Sequence, residues 1–188
     1  YYRDTTVALE AFKAGNIDVR SENSAKNWAT AYDTPAVRDG LIVKQDLNHS
    51  RTAGMQGFVF NLRKPLFQDP KVRQAIAQGL DFEWSNRALF HGMYKRTRSF
   101  FDNSELAAIG QPEGEEKAIL ERLKDKLPPE VMTTSYVPPT TDGLGSIRSN
   151  LRKASKLLKE AGWKIDKKTR KLVHAKTGQP FTFEILLV

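Results

Sequence analysis

Apolar residues recur with helical periodicity in several stretches of the chain, and the stretches begin and end on capping residues. The first covers residues 3–15, with Asp4 as the expected N-cap and Gly15 as the stop. The last covers residues 146–163 and ends at Gly162. Further helices are predicted over residues 26–40, ending near Pro35, from Pro70, after Asp81 and around residues 116–126. The apolar stripes of the first and last helices are Val7, Ala8, Ala11 and Phe12, and Ile147, Leu151, Ala154, Leu158 and Ala161.

Short apolar or alternating runs between the helices have the length and composition of strands. Near the end of the chain, two such runs flank K-T-G-Q, which predicts a hairpin turn. Residues 95–146 are rich in proline and glycine and predict a long, irregular excursion. Helices interspersed with strands indicate an α/β fold. The predicted strands are residues 16–22, 41–47, 55–62, 171–175 and 180–188.

The segment from residue 61 to residue 81 has the pattern of a strand, a turn and a helix. Pro65 is expected to break the strand, Asp69 to cap the helix, and Pro70 to occupy its first position, where a missing N–H costs nothing. Arg73 is expected to pair with a carboxylate, and Asp81 to cap the next helix. The segment is therefore predicted to be mostly scaffold. Its buried face would comprise Val72, Ala75, Ile76 and Leu80.

Composition is that of an ordinary soluble globular chain, with 39% hydrophobic and 28% charged residues and no cysteine. The net charge of +8 comes from one stretch, Arg148 to Lys176, which has eleven basic residues and two acids. Such a stretch is usually a solvated helix face. The alternative is a basic module that binds nucleic acid or another anionic surface.

Candidate chemistry is sparse. The histidines His49, His91 and His174 stand singly, without a neighbour at metal-ligand spacing, and His91 is expected to be a partly buried helix residue. D-G-L-G-S lacks the ending of a phosphate-binding loop, and the chain has no G-x-S-x-G motif. We therefore predict no enzymatic activity, no metal and no cofactor.

Several motifs in order carry a family resemblance. The segment from F-N at residues 60–61 through D-P-K-V-R-Q-A-I to Asp81, followed by A-S-K-L-L-K-E-A-G at residues 154–162, resembles the extracellular solute-binding proteins of ABC-type peptide importers. E-A-F-K-A-G-N-I-D-V-R, W-A-T-A-Y-D-T-P-A-V and R-S-F-F-D-N-S-E-L look more narrowly like the branch that handles oligopeptides and peptide-like microcins.

The resemblance implies part of the second lobe of a two-lobed periplasmic binding protein of type II-like architecture, with a mixed sheet flanked by helices. It implies a peptide or peptide-like ligand, a permease of the inner membrane as partner, a periplasmic location and no nucleic acid. The main residues that hold the ligand are expected beyond Val188. The whole range 1–188 is predicted to be one fragment of that lobe, divided into 1–62, 63–94, 95–146 and 147–188.

Ligand contacts within this chain are expected from aromatic and polar residues at element ends. Asn61 and Arg63 are the polar candidates at the end of a strand. The aromatic group could instead be a buried satellite core. It comprises Trp28, Tyr32, Tyr94, Phe100 and Phe101, with Arg96 among them.

The ends of the chain favour a piece of a longer protein. It begins without methionine and stops within an apolar, strand-like run. We therefore expect the piece by itself to fold at least partly, not to bind peptide tightly, and to form dimers or larger assemblies through the unpaired strand edge or the exposed lobe interface.

Overall fold

The structure is a computed structural model that describes residues 1–187, and the chain divides into two compact units. Unit 1 comprises residues 1–49 and 85–94, and unit 2 comprises residues 50–84 and 95–187. The assignment of the whole chain to one lobe remains a prediction. The helices are α1 Thr5–Lys13, α2 Ala25–Thr30, α3 Pro35–Arg38, α4 Pro65–Gln68, α5 Pro70–Ala77, α6 Phe82–Leu89, α7 Gly114–Glu121, α8 Glu130–Thr133 and α9 Arg148–Glu160.

Helix α1 begins where the sequence predicts. The Asp4 carboxylate accepts hydrogen bonds from the backbone N–H groups of Thr6 and Val7 at 2.8 and 2.9 Å. The predicted stripe is partly wrong, because Val7 is exposed and Leu9 is buried. Both residues are apolar, so periodicity in a nine-residue helix does not decide which of them faces the rest of unit 1.

Residues 26–40 form two short helices instead of one. Helix α2 ends at Thr30, and Pro35 opens α3 at its first position instead of ending a helix. The proline is tolerated there because the first turn of a helix leaves its N–H groups unpaired. The prediction of a helix ending near Pro35 was therefore wrong.

The strands predicted at residues 16–22, 41–47 and 55–62 are absent from the described part of the chain, where these segments are bends, turns or irregular backbone. Val19, Val43 and Val59 are 86, 80 and 95% exposed. A strand needs a neighbouring strand to pair with, and β-propensity by itself does not supply one. The apolar pattern of these segments therefore did not predict their structure.

The segment predicted as a turn before α5 contains a short helix, α4, which was not predicted from the sequence. Pro65 opens α4, and Asp69 ends it and caps α5, accepting from the Lys71 N–H at 2.8 Å. Val72 and Ala75 are buried as predicted, whereas Leu80 is 41% exposed. The predicted cap, proline position and most of the buried face are confirmed.

Helix α5 packs against α9, and the Lys71 ammonium pairs with the Glu160 carboxylate at 3.0 Å. The buried face of α9 includes Ala154, as predicted, and Asn150, which was not predicted. Leu151 is half exposed, contrary to the predicted stripe. The neighbouring Asn150 is buried instead, and its side-chain amide donates to the Thr140 carbonyl at 3.1 Å.

The basic side chains of α9 are exposed, as expected of a solvated face. The exposed basic residues are Arg148, Arg152, Lys153, Lys156 and Lys159.

Gly162 follows the end of α9, as predicted. Its φ of +85° is in the left-handed region that favours glycine.

The described residues contain one small sheet of two antiparallel strands, and the mixed sheet expected of the lobe remains a prediction. Strands β1 Trp163–Ile165 and β2 Leu172–His174 pair antiparallel, with Trp163 opposite His174. The K-T-G-Q turn is confirmed, but it leads only to a single bridge between Val173 and Pro180. Residues 181–187 are extended, and Val188 lies outside the described residues.

The core of unit 2 is aromatic. Phe67, Val72 and Trp163 are buried at its centre. The Phe67 ring lies 5.2 Å from that of Phe60 and 5.7 Å from that of Phe183, so extended segments from both parts of the chain pack on the same residue. The partly buried residues around this centre are Phe60, Leu66, Ile76, Leu158, Ala161, Leu172 and Phe181.

The excursion is irregular, as predicted, apart from α7, a 3-10 turn at Lys124–Lys126 and α8. Its start is fixed by the Ala53 N–H, which donates to the Asp102 carbonyl at 2.7 Å. Its end is fixed by Thr141, whose hydroxyl donates to the Asp81 carboxylate at 2.5 Å and whose N–H donates to Glu83 at 3.0 Å. Among residues 1–187, none of the helices combines the length and apolarity needed to cross a bilayer.

Candidate ligand-binding site

A cleft of about 170 Å³ lies within unit 1. Its walls come from α1, from α2 and the residue just after it, and from the extended segment around Lys44. Polar and apolar groups both face it, which is the usual composition of a small-ligand site. The lining residues are Phe12, Arg20, Trp28, Tyr32, Ile42, Val43, Lys44 and Gln45.

Three aromatic rings form the apolar side of this cleft. Trp28 is in α2 and Tyr32 follows it, and their rings meet edge to face with centroids 5.9 Å apart. Phe12 of α1 lies 6.3 Å from Tyr32 in a similar edge-on arrangement. These edge-to-face geometries are the favoured ones for aromatic pairs. Tyr32 is only 6% exposed, as the alternative of a buried satellite core expects, and the role of Trp28 and Tyr32 as ligand contacts remains a prediction.

A buried ion pair between Arg20 and Glu22 forms hydrogen bonds with the hydroxyl of Tyr32. The Tyr32 hydroxyl donates to Glu22 Oε2 at 2.9 Å, and the Arg20 guanidinium lies 3.3 Å from the same oxygen. Arg20 Nε also donates to the Tyr32 hydroxyl at 3.3 Å. The second carboxylate oxygen of Glu22 accepts the Ser24 N–H at 2.9 Å. The ring of Tyr32 is therefore held in a fixed orientation.

This network changes the proton affinities of its members. Burial raises the pKa of Glu22, but the hydrogen bonds from Ser24, Tyr32 and Arg20 outweigh it, so the pKa of Glu22 is below its ordinary value. Burial and the adjacent Glu22 carboxylate hold the pKa of Tyr32 above its ordinary value, against the opposing effect of Arg20. Glu22 is thus a carboxylate and Tyr32 a neutral phenol at neutral pH.

Lys44 completes the cleft. Its ammonium lies 4.5 Å from the centroid of the Trp28 ring and 5.9 Å from that of Tyr32, within the range of cation–π attraction. It also donates a short hydrogen bond to the Trp28 carbonyl.

Sequence analysis missed Lys44, Phe12, Arg20 and Glu22 as parts of this site. The only signal for Lys44 is a single cation within the apolar run I-V-K.

The polar candidates Asn61 and Arg63 are exposed in unit 2 and contact each other. Asn61 Oδ1 accepts from the Arg63 backbone N–H at 3.1 Å and from Arg63 Nε at 3.3 Å. Phe100 and Phe101, also in unit 2, are 76 and 51% exposed. Their role as ligand contacts remains a prediction.

The last two candidates have different surroundings. In unit 1, the backbone N–H and carbonyl of Tyr94 bond to the side-chain amide of Asn86, and its ring packs 4.8 Å from that of Phe90. In unit 2, the Arg96 guanidinium lies 5.5 Å from the Phe82 ring, and its Nε is buried without a hydrogen-bond partner among the described residues.

Two residues of the predicted chemistry are placed differently from expectation. Arg73 pairs with carbonyl groups and not with a carboxylate, donating to Phe67 at 2.7 Å and to Gln68 at 2.9 Å. His91 lies just after α6, exposed and with a φ of 54°, and is not a helix residue. Within residues 1–187, no three His, Asp or Glu side chains are grouped so that they could hold a metal ion.

The cleft combines aromatic rings with charged groups at its edge, an arrangement that can hold a small ligand group. Comparison with known proteins agrees, because the profile described as "Bacterial extracellular solute-binding proteins, family 5 Middle" matches residues 1–186. The chain belongs to this family of extracellular solute-binding proteins. Such proteins have a two-lobed periplasmic binding fold and are typically non-enzymatic.

Relatives cover the whole chain. It is 46% identical over 187 residues to "Uncharacterized protein YejA" of Escherichia coli strain K12 and 45% identical over 189 residues to "Probable peptide-binding protein YejA" of Agrobacterium fabrum. It is 41% identical over 194 residues to "Peptidoglycan-binding protein YepA" of the same organism. The alignments cover 99 to 100% of this chain but 30 to 31% of those proteins.

Proposed function

We propose that the chain is part of a periplasmic receptor that binds oligopeptides or peptide-like compounds and delivers them to the permease of an ABC importer. The observation that carries the proposal is the match to the family 5 solute-binding profile over residues 1–186. The relative named as a probable peptide-binding protein supports a peptide as the ligand.

The geometry of unit 1 supports the same proposal. Peptide receptors need shape and polarity more than reactive groups: aromatic surfaces for side chains and hydrogen-bonding groups for the backbone. Trp28 is partly exposed and would provide such a surface, with the buried Tyr32 ring packed beside it, and Lys44 and Gln45 lie at the edge of the cleft. In a two-lobed receptor, closure of the second wall over the ligand would add affinity by excluding water.

The narrower branch, receptors for oligopeptides and microcin-like compounds, is proposed on the sequence motifs alone. E-A-F-K-A-G-N-I-D-V-R includes Phe12 and Arg20, both of which line the cleft. The branch assignment therefore involves residues of the candidate site as well as scaffold.

The test uses the full-length protein, freed of any carried-over ligand by partial unfolding and refolding. Calorimetry with pooled peptides of three to eight residues should show binding, and mass spectrometry of the bound fraction should identify peptides. Trp28→Ala should weaken binding about tenfold or more while changing the melting temperature little. Tyr136→Ala is the matched control, because Tyr136 is an exposed aromatic residue outside the cleft. Absence of peptide binding by refolded full-length protein would contradict the proposal.

A further inference from the structure

We propose that the aromatic cleft of unit 1 is a pocket for a cationic group of the ligand, such as a lysine or arginine side chain, and that Lys44 occupies it in the free protein. The inference rests on the proposed function, since it names the chemical group that a peptide ligand would place there. It assigns Lys44 the role of a resident cation that the ligand displaces.

The position of Lys44 is the first argument. Its ammonium lies over the faces of Trp28 and Tyr32, at 4.5 and 5.9 Å from the ring centroids, and donates to the Trp28 carbonyl. Ring faces carry negative electrostatic potential and attract cations. The pocket thus provides, for its own lysine, the contacts that a foreign ammonium or guanidinium would use.

The weak attachment of Lys44 is the second argument. Among residues 1–187, no carboxylate forms an ion pair with its ammonium, so only two rings and one carbonyl hold it. Its segment, residues 41–47, is exposed over most of its length and belongs to no helix or strand. An incoming cation would therefore replace equivalent contacts without disrupting secondary structure.

The rigidity of the opposite wall is the third argument. Glu22, whose side chain is 5% exposed, accepts from the Tyr32 hydroxyl and is itself balanced by Arg20. The wall is therefore neutral overall and keeps the Tyr32 ring in place when Lys44 leaves. A fixed aromatic wall is what a cation pocket requires, because reorganisation would reduce affinity.

The size of the cleft limits the ligand group. About 170 Å³ is open with the Lys44 side chain in place, and its displacement would enlarge this space by the volume of one lysine side chain. This space suits one long side chain and not a whole peptide. The pocket would therefore select at a single position of the ligand.

The first experiment compares two peptides that differ in one residue, lysine or its uncharged isostere norleucine, binding to the full-length protein by calorimetry. Lys44→Ala should raise the preference for lysine over norleucine about tenfold, because the competing cation is gone. Trp28→Leu, added to Lys44→Ala, should remove that gain. Lys124→Ala is the control, since Lys124 is an exposed lysine in unit 2. If Trp28→Leu folds poorly, Trp28→Phe should give an intermediate preference.

The second experiment probes the pocket without a peptide. Tetramethylammonium should change the tryptophan fluorescence of Lys44→Ala, should affect wild type only at about tenfold higher concentration, and should have no such effect when Trp28 is replaced. If peptides bind, but their preference for lysine does not change with Lys44→Ala or Trp28→Leu, the assignment of the cation pocket is wrong. The proposed function would still hold in that case. A tetramethylammonium response without any peptide binding would support the pocket and contradict the proposed function. No response and no peptide binding would overturn both.

Discussion

The Arg73 guanidinium donates to the backbone carbonyl of Phe67 at 2.7 Å and to that of Gln68 at 2.9 Å. These carbonyls are in the last turn of the four-residue helix α4, where no following helical turn supplies N–H groups to donate to them. Arg73 is in α5, so a side chain of one helix caps the C-terminal end of the helix before it. Phe67 is also buried in the core of unit 2, so this contact fixes the core residue as well.

Arg73→Lys should lower the free energy of unfolding by about 1 kcal/mol. One guanidinium nitrogen, Nη1, donates to both carbonyls, and the lysine side chain is one bond too short to place its ammonium at that point. Arg73→Met, which keeps much of the stem but no donor, should cost about 2 kcal/mol. Urea unfolding of the full-length protein measures both. Equal stability of all three proteins would show that water replaces the arginine at no cost.

Gly162→Ala should destabilise the chain by about 2 kcal/mol. Its φ of +85° is unfavourable for alanine, and an added Cβ would lie 3.2 Å from His174 Nε2. Gly178→Ala is the matched control, since its φ is +72° but nothing lies within 4 Å of an added Cβ. The difference in melting temperature between the two variants isolates the contact with His174. Adding His174→Ala to Gly162→Ala should recover that difference; failure to recover it would assign the whole cost to the backbone.

Glu22→Gln should lower stability at pH 7 by about 2 kcal/mol, because the carboxylate accepts from Ser24, Tyr32 and Arg20. The pKa of Glu22 is below its ordinary value in the folded state. Its ionised form therefore stabilises the fold above about pH 4.3, and this contribution is lost as pH falls through the lower folded value. Melting curves of wild type and Glu22→Gln from pH 3 to pH 7 should converge at the acid end. Parallel curves would contradict the role of the charge.

The exposed basic face of α9 should behave as solvated surface. Replacing Lys153, Lys156 and Lys159 by glutamine should change the free energy of unfolding by less than about 0.5 kcal/mol. Neither wild type nor variant should bind duplex DNA at physiological salt, since Trp163, the aromatic residue within the basic stretch, is buried and unavailable for stacking. DNA binding that weakens steeply with salt and disappears in the triple variant would favour the basic binding module instead. Lys124→Gln with Lys126→Gln is the control for loss of charge elsewhere.

Local signals predicted helices well and tertiary arrangement poorly. Asp4, Asp69 and Gly162 act within a few residues of their own position, and all three have the predicted role. Val59 has the same β-propensity in a sheet or out of one, and the chain near it does not contain the information that would pair it. Arg73 illustrates the same limit, because its carbonyl partners are identified only by the close succession of α4 and α5.

The candidate site was predictable only in part. Trp28 and Tyr32 are four residues apart, a spacing that predicted proximity on one helix face; the rings do meet, although α2 ends at Thr30 and Tyr32 lies in the turn after it. Lys44 is sixteen residues from Trp28 along an irregular segment, and no periodicity relates them. Glu22 and Arg20 are in a segment that was predicted to be a strand, which would have placed their side chains on the same face but not against Tyr32.

Hydrogen bonds hold the excursion near both of its ends. Asp102 bonds to Ala53 near the start, and Thr141 bonds to Asp81 and Glu83 near the end. The residues between these two contacts form a loop, and the entropic cost of closing such a loop grows only with the logarithm of its length. A change in the length or sequence of this loop should therefore cost unit 2 little stability, so the surface that the loop presents can vary while the fold beneath it is kept.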